Sequence, residues 1–296
     1  MGSAFALACA FFWAFAVILF KKAGENFSPI ALNIYKSVVA VVLIGLTMLV
    51  LGIPFFPDTT PRVWWILILS GVLGITLADI FYFSSLNHLG AGMVAVVECL
   101  YLPCVLIFSY ILLGERMGCL GIIGSALVLC AILVGAVPLK DLTSGNSDKG
   151  QNLWGICAGV LAMMFVALGI VVAKDVLDQV DVFWATFVRV AAGLAGLIPI
   201  VLCHPERMRF ARELKFSKAW LNAFPATVSG NYIALVLWMA GMKYTTASRA
   251  AVLNQMSTIF LFILATVWLK EKMTAQRLAA IVLAVAGAYL VTFSHK

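Results

Sequence analysis

Apolar residues along this chain come in unbroken runs of about 20, separated by short polar breaks. They neither alternate nor form a single helical stripe. The runs fall at 3–20, 29–52, 62–86, 89–113, 117–138, 152–173, 180–203, 218–242, 245–269 and 273–294. A run of that length crosses the roughly 30 Å hydrocarbon core of a bilayer as an α-helix. The lack of period-two alternation argues against a membrane β-barrel. Breaks lie at Lys21-Lys22, between Pro54 and Pro61, at Asn87-His88 and at Glu115-Arg116. The longest, Lys140 to Lys149, is rich in Ser, Gly and Asp and sits at the midpoint; His204 to Lys218 is the most charged. The pattern predicts an all-α integral membrane protein of ten transmembrane helices.

Two of the breaks are written alike. Leu112 to Gly118 and Trp268 to Thr274 both read apolar, apolar, x, Glu, basic, Met, small. A shift of 156 residues sets Glu115 on Glu271, Arg116 on Lys272 and Met117 on Met273, and also Ala91 on Ala247, Ala95 on Ala251, Val96 on Val252 and Gly74 on Gly230. In the earlier spans a shift of 153 sets Phe12 on Phe165 and Lys36 on Arg189. The expected organisation is a first five-helix repeat over 1–138, a linker over 139–151 and a second five-helix repeat over 152–296. Five is odd, so the second copy enters the membrane the opposite way up. Inverted repeats of this kind are typical of secondary transporters, with the substrate in a central cavity between the halves.

Composition agrees. The chain is 64% hydrophobic and 11% charged, with a mean hydropathy of +1.07, against about 25% charged in soluble domains. The net charge of +7 sits in short connections and reads as a topology signal, which argues against nucleic-acid binding. The first run ends in Lys21-Lys22 without a small-residue cleavage site, so it reads as a retained helix and not a signal peptide. Ala6 stands where myristoylation of Gly2 prefers Ser or Thr. The seven cysteines lie in or beside apolar runs with no C-x-x-C pair, as small apolar packers. Close glycine pairs (Gly71 and Gly74, Gly121 and Gly124, Gly155 and Gly159, Gly193 and Gly196) mark helix contacts. Trp64, Trp65, Trp154, Trp184, Trp220 and Trp268 lie near span ends and read as an interfacial belt.

The pattern Ala-Gly-Met-Val-Ala from Ala91, Pro103, Leu-Leu-Gly-Glu-Arg-Met and Gly-Ile-Ile-Gly-Ser-Ala-Leu is echoed in the second half. There it reads Thr-Thr-Ala-Ser-Arg-Ala-Ala, Leu-Lys-Glu-Lys-Met-Thr and Leu-Ala-Ala-Ile-Val-Leu-Ala-Val-Ala-Gly-Ala. Over nearly its whole length the chain resembles the drug/metabolite transporter superfamily, in its ten-helix EamA-type branch. The resemblance implies a carrier of small metabolites in the plasma or inner membrane, with both termini cytoplasmic. Ile259 departs from the pattern, standing where the second repeat often carries the counterpart of Pro103; a kink is therefore expected in span 4. Glu115 and Glu271 read as structural residues near the start of the helix that follows each, where negative charge favours exposed amides. Arg116 and Lys272 are placed to reach lipid phosphates.

Ionisable residues at membrane depth are costly and mark pathways or sites. Lys36, Asp79, Glu98, Arg189 and Arg249 qualify. The acids break the symmetry, since Asp79 falls on Leu235 and Glu98 on Asn254. The expectation is that Lys36 is neutralised by Glu98 or Asp79, leaving Arg189 to pair a substrate carboxylate through its planar fork. The candidate substrate-binding set is Arg189, Glu98, Lys36, Tyr101, Asn254, Trp13 and Trp238, with Tyr35 and Tyr82 as further cavity aromatics and Gln255 and Thr258 on the polar face of span 9. A carboxylate among aromatics also suits an amine or quaternary ammonium. Glu98 and Asp79 are the candidate proton-coupling groups, although a facilitator or exchanger fits the same residues.

The leading expectation is a secondary transporter exporting small metabolites such as amino acids by alternating access. Carriage of amine compounds or drugs is the alternative, and sugar phosphates are disfavoured because Arg249 stands alone on span 9. A non-transporting membrane scaffold is the least favoured reading, because it needs no intramembrane Lys, Arg or Glu, and an enzyme is disfavoured. His88, His204 and His295 are scattered, and neither H-E-x-x-H, G-x-S-x-G nor a Walker motif is present. No cofactor or metal is expected; the expected partners are a small-molecule substrate, the lipid bilayer and coupling protons, and the chain is expected as monomer or homodimer. Orientation is contested. Connections after odd-numbered spans carry eleven Lys and Arg against five on the other side, which places the termini outside, contrary to the resemblance.

Overall fold

The computed structural model describes residues 1–23, 28–136, 149–214, 218–268 and 275–293. These residues are helical and turn, with no strand among them. Seven helical stretches are each long and apolar enough to cross a membrane, and shorter apolar helices cover Tyr101–Leu113, Cys119–Val134 and Leu278–Phe293.

Helix boundaries follow local chemistry. The first helix, α1 (Gly2–Ala23), is followed by α2 (Pro29–Leu51), which starts at Ser28, whose Oγ accepts from the Ala31 amide, with Pro at the first helical position, where its missing N–H costs nothing. It stops at Gly52, whose φ of 68° lets the chain turn off the helix. Asp181 caps α8 (Val182–Cys203) by accepting from the Phe183 and Trp184 amides. Ser28 and Asp181 are 153 residues apart, so both shifts found in the sequence reappear in the structure. Span 3 runs through α3 (Pro61–Gly71), a π-helical segment Val72–Leu77 and the start of α4 (Ala78–Glu98). Span 8 runs through α10 (Lys218–Thr227), a π-helical segment Val228–Ala234 and α11 (Leu235–Tyr244). The two π segments begin 156 residues apart. So do α6 (Cys119–Ala136) and α14 (Ala275–Phe293).

The segment assigned to α4 turns back on itself. A Cβ on Gly159 would stand 2.7 Å from both Ser85 and Val97, although a straight helix would hold those residues about 18 Å apart. The outward leg still runs at His88 and Leu89, which lie against Gly155, one turn along α7 from Gly159, so the reversal follows the sequence break at Asn87-His88. The return leg ends at Glu98, and α5 (Tyr101–Leu113) carries span 4 onward. Span 9 is divided in the same register, into α12 (Ala247–Asn254) and α13 (Met256–Trp268). The expected interruption of span 4 is present, and span 9 is interrupted too, without a proline.

Sequence halves are not packing units. The first helix of the first half, α1, packs among α10, α11, α12 and α13 of the second. Conversely α7 (Lys149–Leu177) packs against α3, α4 and α5 of the first. The exchange makes two clusters: α1 with spans 8 and 9, and α7 with spans 3 and 4. Helices α2 and α8 pack on each other between them, and α6 pairs with α14. Small residues set these approaches. A Cβ on Gly71 would sit 2.2 Å from the Arg189 carbonyl oxygen, and one on Gly124 would sit 2.6 Å from that of Gly287. Thr76 donates its hydroxyl to the Gly193 carbonyl at 2.9 Å, and Ser229 donates to that of Phe12 at 2.8 Å. The π segments thus pack crosswise, each against the other half.

The tryptophan belt needs correction. Trp65, Trp154 and Trp268 are exposed as expected, but Trp184 and Trp220 are buried. Trp184 donates Nε1–H to the Phe55 carbonyl at 2.9 Å and meets Trp64 edge-on at 4.7 Å. Trp220 donates to the Glu213 carbonyl and stacks on Tyr35 at 4.1 Å. Each indole had a carbonyl within reach, and burial of a tryptophan requires one.

Candidate functional site

Arg189 lies seven residues into α8, about 10 Å along its axis, and is only 7% exposed. The approach of Gly71 and Gly74 makes room for it: Gly71 abuts its backbone, and a Cβ on Gly74 would stand 3.5 Å from its Nη2. Nη1 donates to the Met239 Sδ at 2.7 Å, and Nε is buried without a partner. Among the described residues no carboxylate lies within salt-bridge distance of it. Tyr101, at the first position of α5, is within electrostatic range of the guanidinium, and Cys9 is within range of Tyr101. The Cys9 thiol donates to the Asn254 Oδ1 at 3.2 Å. One centre thus gathers Arg189, Tyr101, Cys9, Asn254 and Met239 from α8, α5, α1, α12 and α11.

A second centre adjoins it. Tyr82 donates its hydroxyl to the Glu98 carboxylate. Glu98, the last residue of α4, is exposed. Asp79 accepts from the Asn33 amide and lies within electrostatic range of Lys36 and Tyr82. Asn33 and Lys36 share one face of α2 at three-residue spacing. Tyr82 and Tyr101 both pack around Val97, Ala162 and Met163, which joins the two centres.

Of the candidate residues, Tyr101, Arg189 and Asn254 gather at the first centre, and Glu98, Asp79 and Lys36 at the second, around Tyr82. Trp13, one turn past Cys9, is 40% exposed and lies next to Gly230. Trp238 is half-buried against the main core beside Met239. Tyr35 stays with Trp220, its hydroxyl donating to the Trp220 carbonyl at 3.2 Å. Arg249 is half-buried at the start of α12, its amide donating to Thr246. Gln255 and Thr258 are half-buried. Glu271 and Lys272 lie outside the described residues. Sequence reasoning missed Met239 and Cys9, because methionine and cysteine in an apolar run read as packing.

Glu115 is structural, as expected, but it does not serve the helix that follows it. Its Oε1 accepts from the Ala247 amide at 2.7 Å, and its Oε2 accepts from the Ser248 amide at 2.9 Å and hydroxyl at 2.8 Å. It caps α12 in the other half of the sequence.

The model of the EamA-like transporter family matches residues 1–136 and again 153–293. Two uncharacterized transporters of Archaeoglobus fulgidus are similar to this chain. One is 22% identical over 279 residues, covering 93% of this chain and 92% of that protein, and the other 21% identical over 280 residues, covering 95% and 94%. A crystal structure 19% identical to this chain shares its fold, with a TM-score of 0.80 over 98% of this chain and 96% of that one. A family model that matches twice, over almost the entire length of a multi-pass membrane chain, leaves one assignment: the chain belongs to the EamA-like transporter family, within the drug/metabolite transporter superfamily.

Proposed function

We propose that the protein is a secondary carrier that exports small zwitterionic metabolites, amino acids foremost, across the plasma or inner membrane by alternating access. In this reading 1–138 and 152–296 are inverted five-helix repeats joined by 139–151, with the termini in the cytoplasm. The observation that carries it is Arg189: a buried guanidinium with an unpartnered Nε and no carboxylate partner among the described residues. Burying an arginine without a counter-anion is costly. A substrate carboxylate that pairs with it recovers that cost in a way few other ligands can. Met239 offers only a soft thioether, which a carboxylate readily displaces.

Glu98, exposed beside Tyr82 and Tyr101, holds the substrate ammonium by charge and ring contact. Trp13 and Trp238 line the walls, and Asn254, held by Cys9, supplies amide polarity at the opposite helix break. Lys36 and Asp79 balance each other beside the site. Each acid accepts one side-chain hydrogen bond, Glu98 from Tyr82 and Asp79 from Asn33; Glu98 is the better placed to exchange a proton, because it is exposed and Asp79 is half-buried. A substrate with an amine and no carboxylate is the second reading, and the exposed Glu98 carboxylate beside Tyr82 favours it.

Counterflow in liposomes with amino acids, choline-like amines and sugar phosphates separates these readings. The proposal expects amino-acid counterflow that is lost in Arg189→Ala and reduced in Arg189→Lys, which keeps the charge but not the fork. Amine counterflow indifferent to Arg189→Ala selects the second reading. Absence of counterflow with every compound overturns both.

A further inference from the structure

The termini-bearing face is stitched across the two exchanged clusters. This face holds the start of α1, where a Cβ on Gly2 would meet the Tyr244 backbone at 2.5 Å. It also holds the ends of span 8 and span 4. Glu115 follows α5, in the cluster built on α7. Its target, the first turn of α12, belongs to the cluster built on α1. One carboxylate accepts three hydrogen bonds across that divide, from the Ala247 amide, the Ser248 amide and the Ser248 hydroxyl, at 2.7, 2.9 and 2.8 Å. A second crossing lies nearby. Lys174, near the end of α7, donates to the Lys243 carbonyl at 3.1 Å, and Lys243 itself donates to the Val180 carbonyl at 2.6 Å.

We propose that Glu115, bound to the first turn of α12, is the latch that shuts the carrier on the termini-bearing face, with Lys174 and Lys243 as its second fastening. The physical reason is that a helix N-terminus has unpaired amides and a positive end. A carboxylate satisfies both, and does so more strongly than a neutral side chain. If the clusters rock apart on this face, the latch must break: α12 then exposes two amides, and Glu115 meets water. Asn254 and Cys9 lie seven residues in from this end of α12 and α1, about 10 Å beneath the latch. They form the first part of the central site that an opening here would uncover. The inference rests on the carrier reading, because a latch has a purpose only in a molecule that opens alternately.

Cys9 reports the event. It is 4% exposed and faces Asn254. The full chain retaining Cys9 alone, with the other six cysteines replaced by serine or alanine, is reconstituted in oriented vesicles. A charged, membrane-impermeant methanethiosulfonate is applied from each face in turn. Glu115→Gln keeps the shape but gives up the charge, and is expected to raise Cys9 labelling from the termini-bearing face about tenfold. Ser248→Ala removes one of the three bonds and gives a smaller rise on the same face. Labelling unchanged in both variants, or a fall in thermal stability without face-specific labelling, overturns the latch in favour of a plain structural cap. Should Glu115→Gln not fold, Ser248→Ala decides alone. The assay needs no substrate, so counterflow with unchanged labelling removes the latch only, whereas face-specific labelling without counterflow keeps the latch of a molecule that opens and removes the proposed cargo.

Discussion

Replacing Gly71 by alanine tests whether backbone contact between α3 and α8 sets the position of Arg189. The added methyl would lie 2.2 Å from the Arg189 carbonyl oxygen, 3.0 Å from its carbonyl carbon and 3.1 Å from its Cα. All three are backbone atoms and cannot rotate aside. Ordinary contact begins near 3.4 Å, so the two helices must part by about 1 Å. Overpacking of this kind costs about 1–3 kcal/mol. The better helix propensity of alanine returns up to about 1 kcal/mol of that. Gly74→Ala is the control, because its nearest neighbour is the Arg189 Nη2 at 3.5 Å, an ordinary contact with the end of a side chain. Thermal unfolding in detergent, followed by intrinsic fluorescence, should show Gly71→Ala melting below the parent and Gly74→Ala at or above it. Counterflow should fall in Gly71→Ala as the guanidinium moves. A Gly71→Ala protein that melts and transports like the parent would refute the reasoning, as would Gly74→Ala proving the more damaging of the two.

Three further outcomes follow from single contacts. The Glu213 carboxyl is pushed up by partial burial but held, on balance, below its usual range by the Ser28 hydroxyl and amide and by Arg209. A depressed carboxyl adds stability that is present above its unfolded pKa and lost as pH falls through the folded value, so acidification should loosen the tie between α2 and the helix α9 (Arg207–Glu213). Ser28→Ala should shrink that pH dependence and lower stability by about 1 kcal/mol as a lost cap, both readable from melting curves between neutral and acid pH. Trp184→Phe strands the half-buried Phe55 carbonyl and should destabilise by about 1–3 kcal/mol, measured by the same melts. Gly124→Ala should part α6 from α14, because its methyl would meet the Gly287 carbonyl oxygen at 2.6 Å; an unchanged melting temperature would contradict this.

Much of this architecture was legible in the sequence because membrane physics leaves few options. Long apolar runs can only be helices, and the Glu-basic-Met pair carried the 156-residue register that the π segments and helix breaks follow, while the caps at Ser28 and Asp181 follow the 153-residue register of Lys36 and Arg189. The charged candidates were legible for the same reason: Arg189 and Glu98 stand out only because an apolar solvent makes them expensive. What could not be read was which face meets which. The exchange of α1 and α7 between halves leaves no mark in composition, so Glu115 read as a cap for its own neighbouring helix when its partner is 132 residues away. Trp184 and Trp220 failed as belt residues because position near a span end does not reveal whether another helix covers it. Met239 was invisible because a thioether looks apolar until a guanidinium is placed beside it.

The two helix breaks bear on what the site needs. Span 4 is interrupted at Cys99 and Leu100, four residues before Pro103, whose ring leaves the Cys99 carbonyl without its helical donor. A proline kink is the obvious cause. Yet span 9 breaks at Gln255, and Ile259 occupies the matching place. There the Gln255 amide is shared between the Ala251 and Val252 carbonyls, both at 3.2 Å, and the Thr258 amide returns to the Gln255 carbonyl at 3.2 Å. The Leu100 amide makes the same tightened bond to the Val97 carbonyl at 2.9 Å. Both breaks follow directly on a polar residue, Glu98 in span 4 and Asn254 in span 9, 156 residues apart. We therefore assign the breaks to the placement of those side chains, with Pro103 fitting a break that exists without it. Pro103 is the third residue of α5, inside the first turn, where a missing N–H costs little. Pro103→Ala should accordingly fold, melt within about 1 kcal/mol of the parent and retain counterflow. Had the proline created the break, its removal would let the helix run straight through, turn Glu98 away from Tyr101 and abolish transport in a protein that still folds.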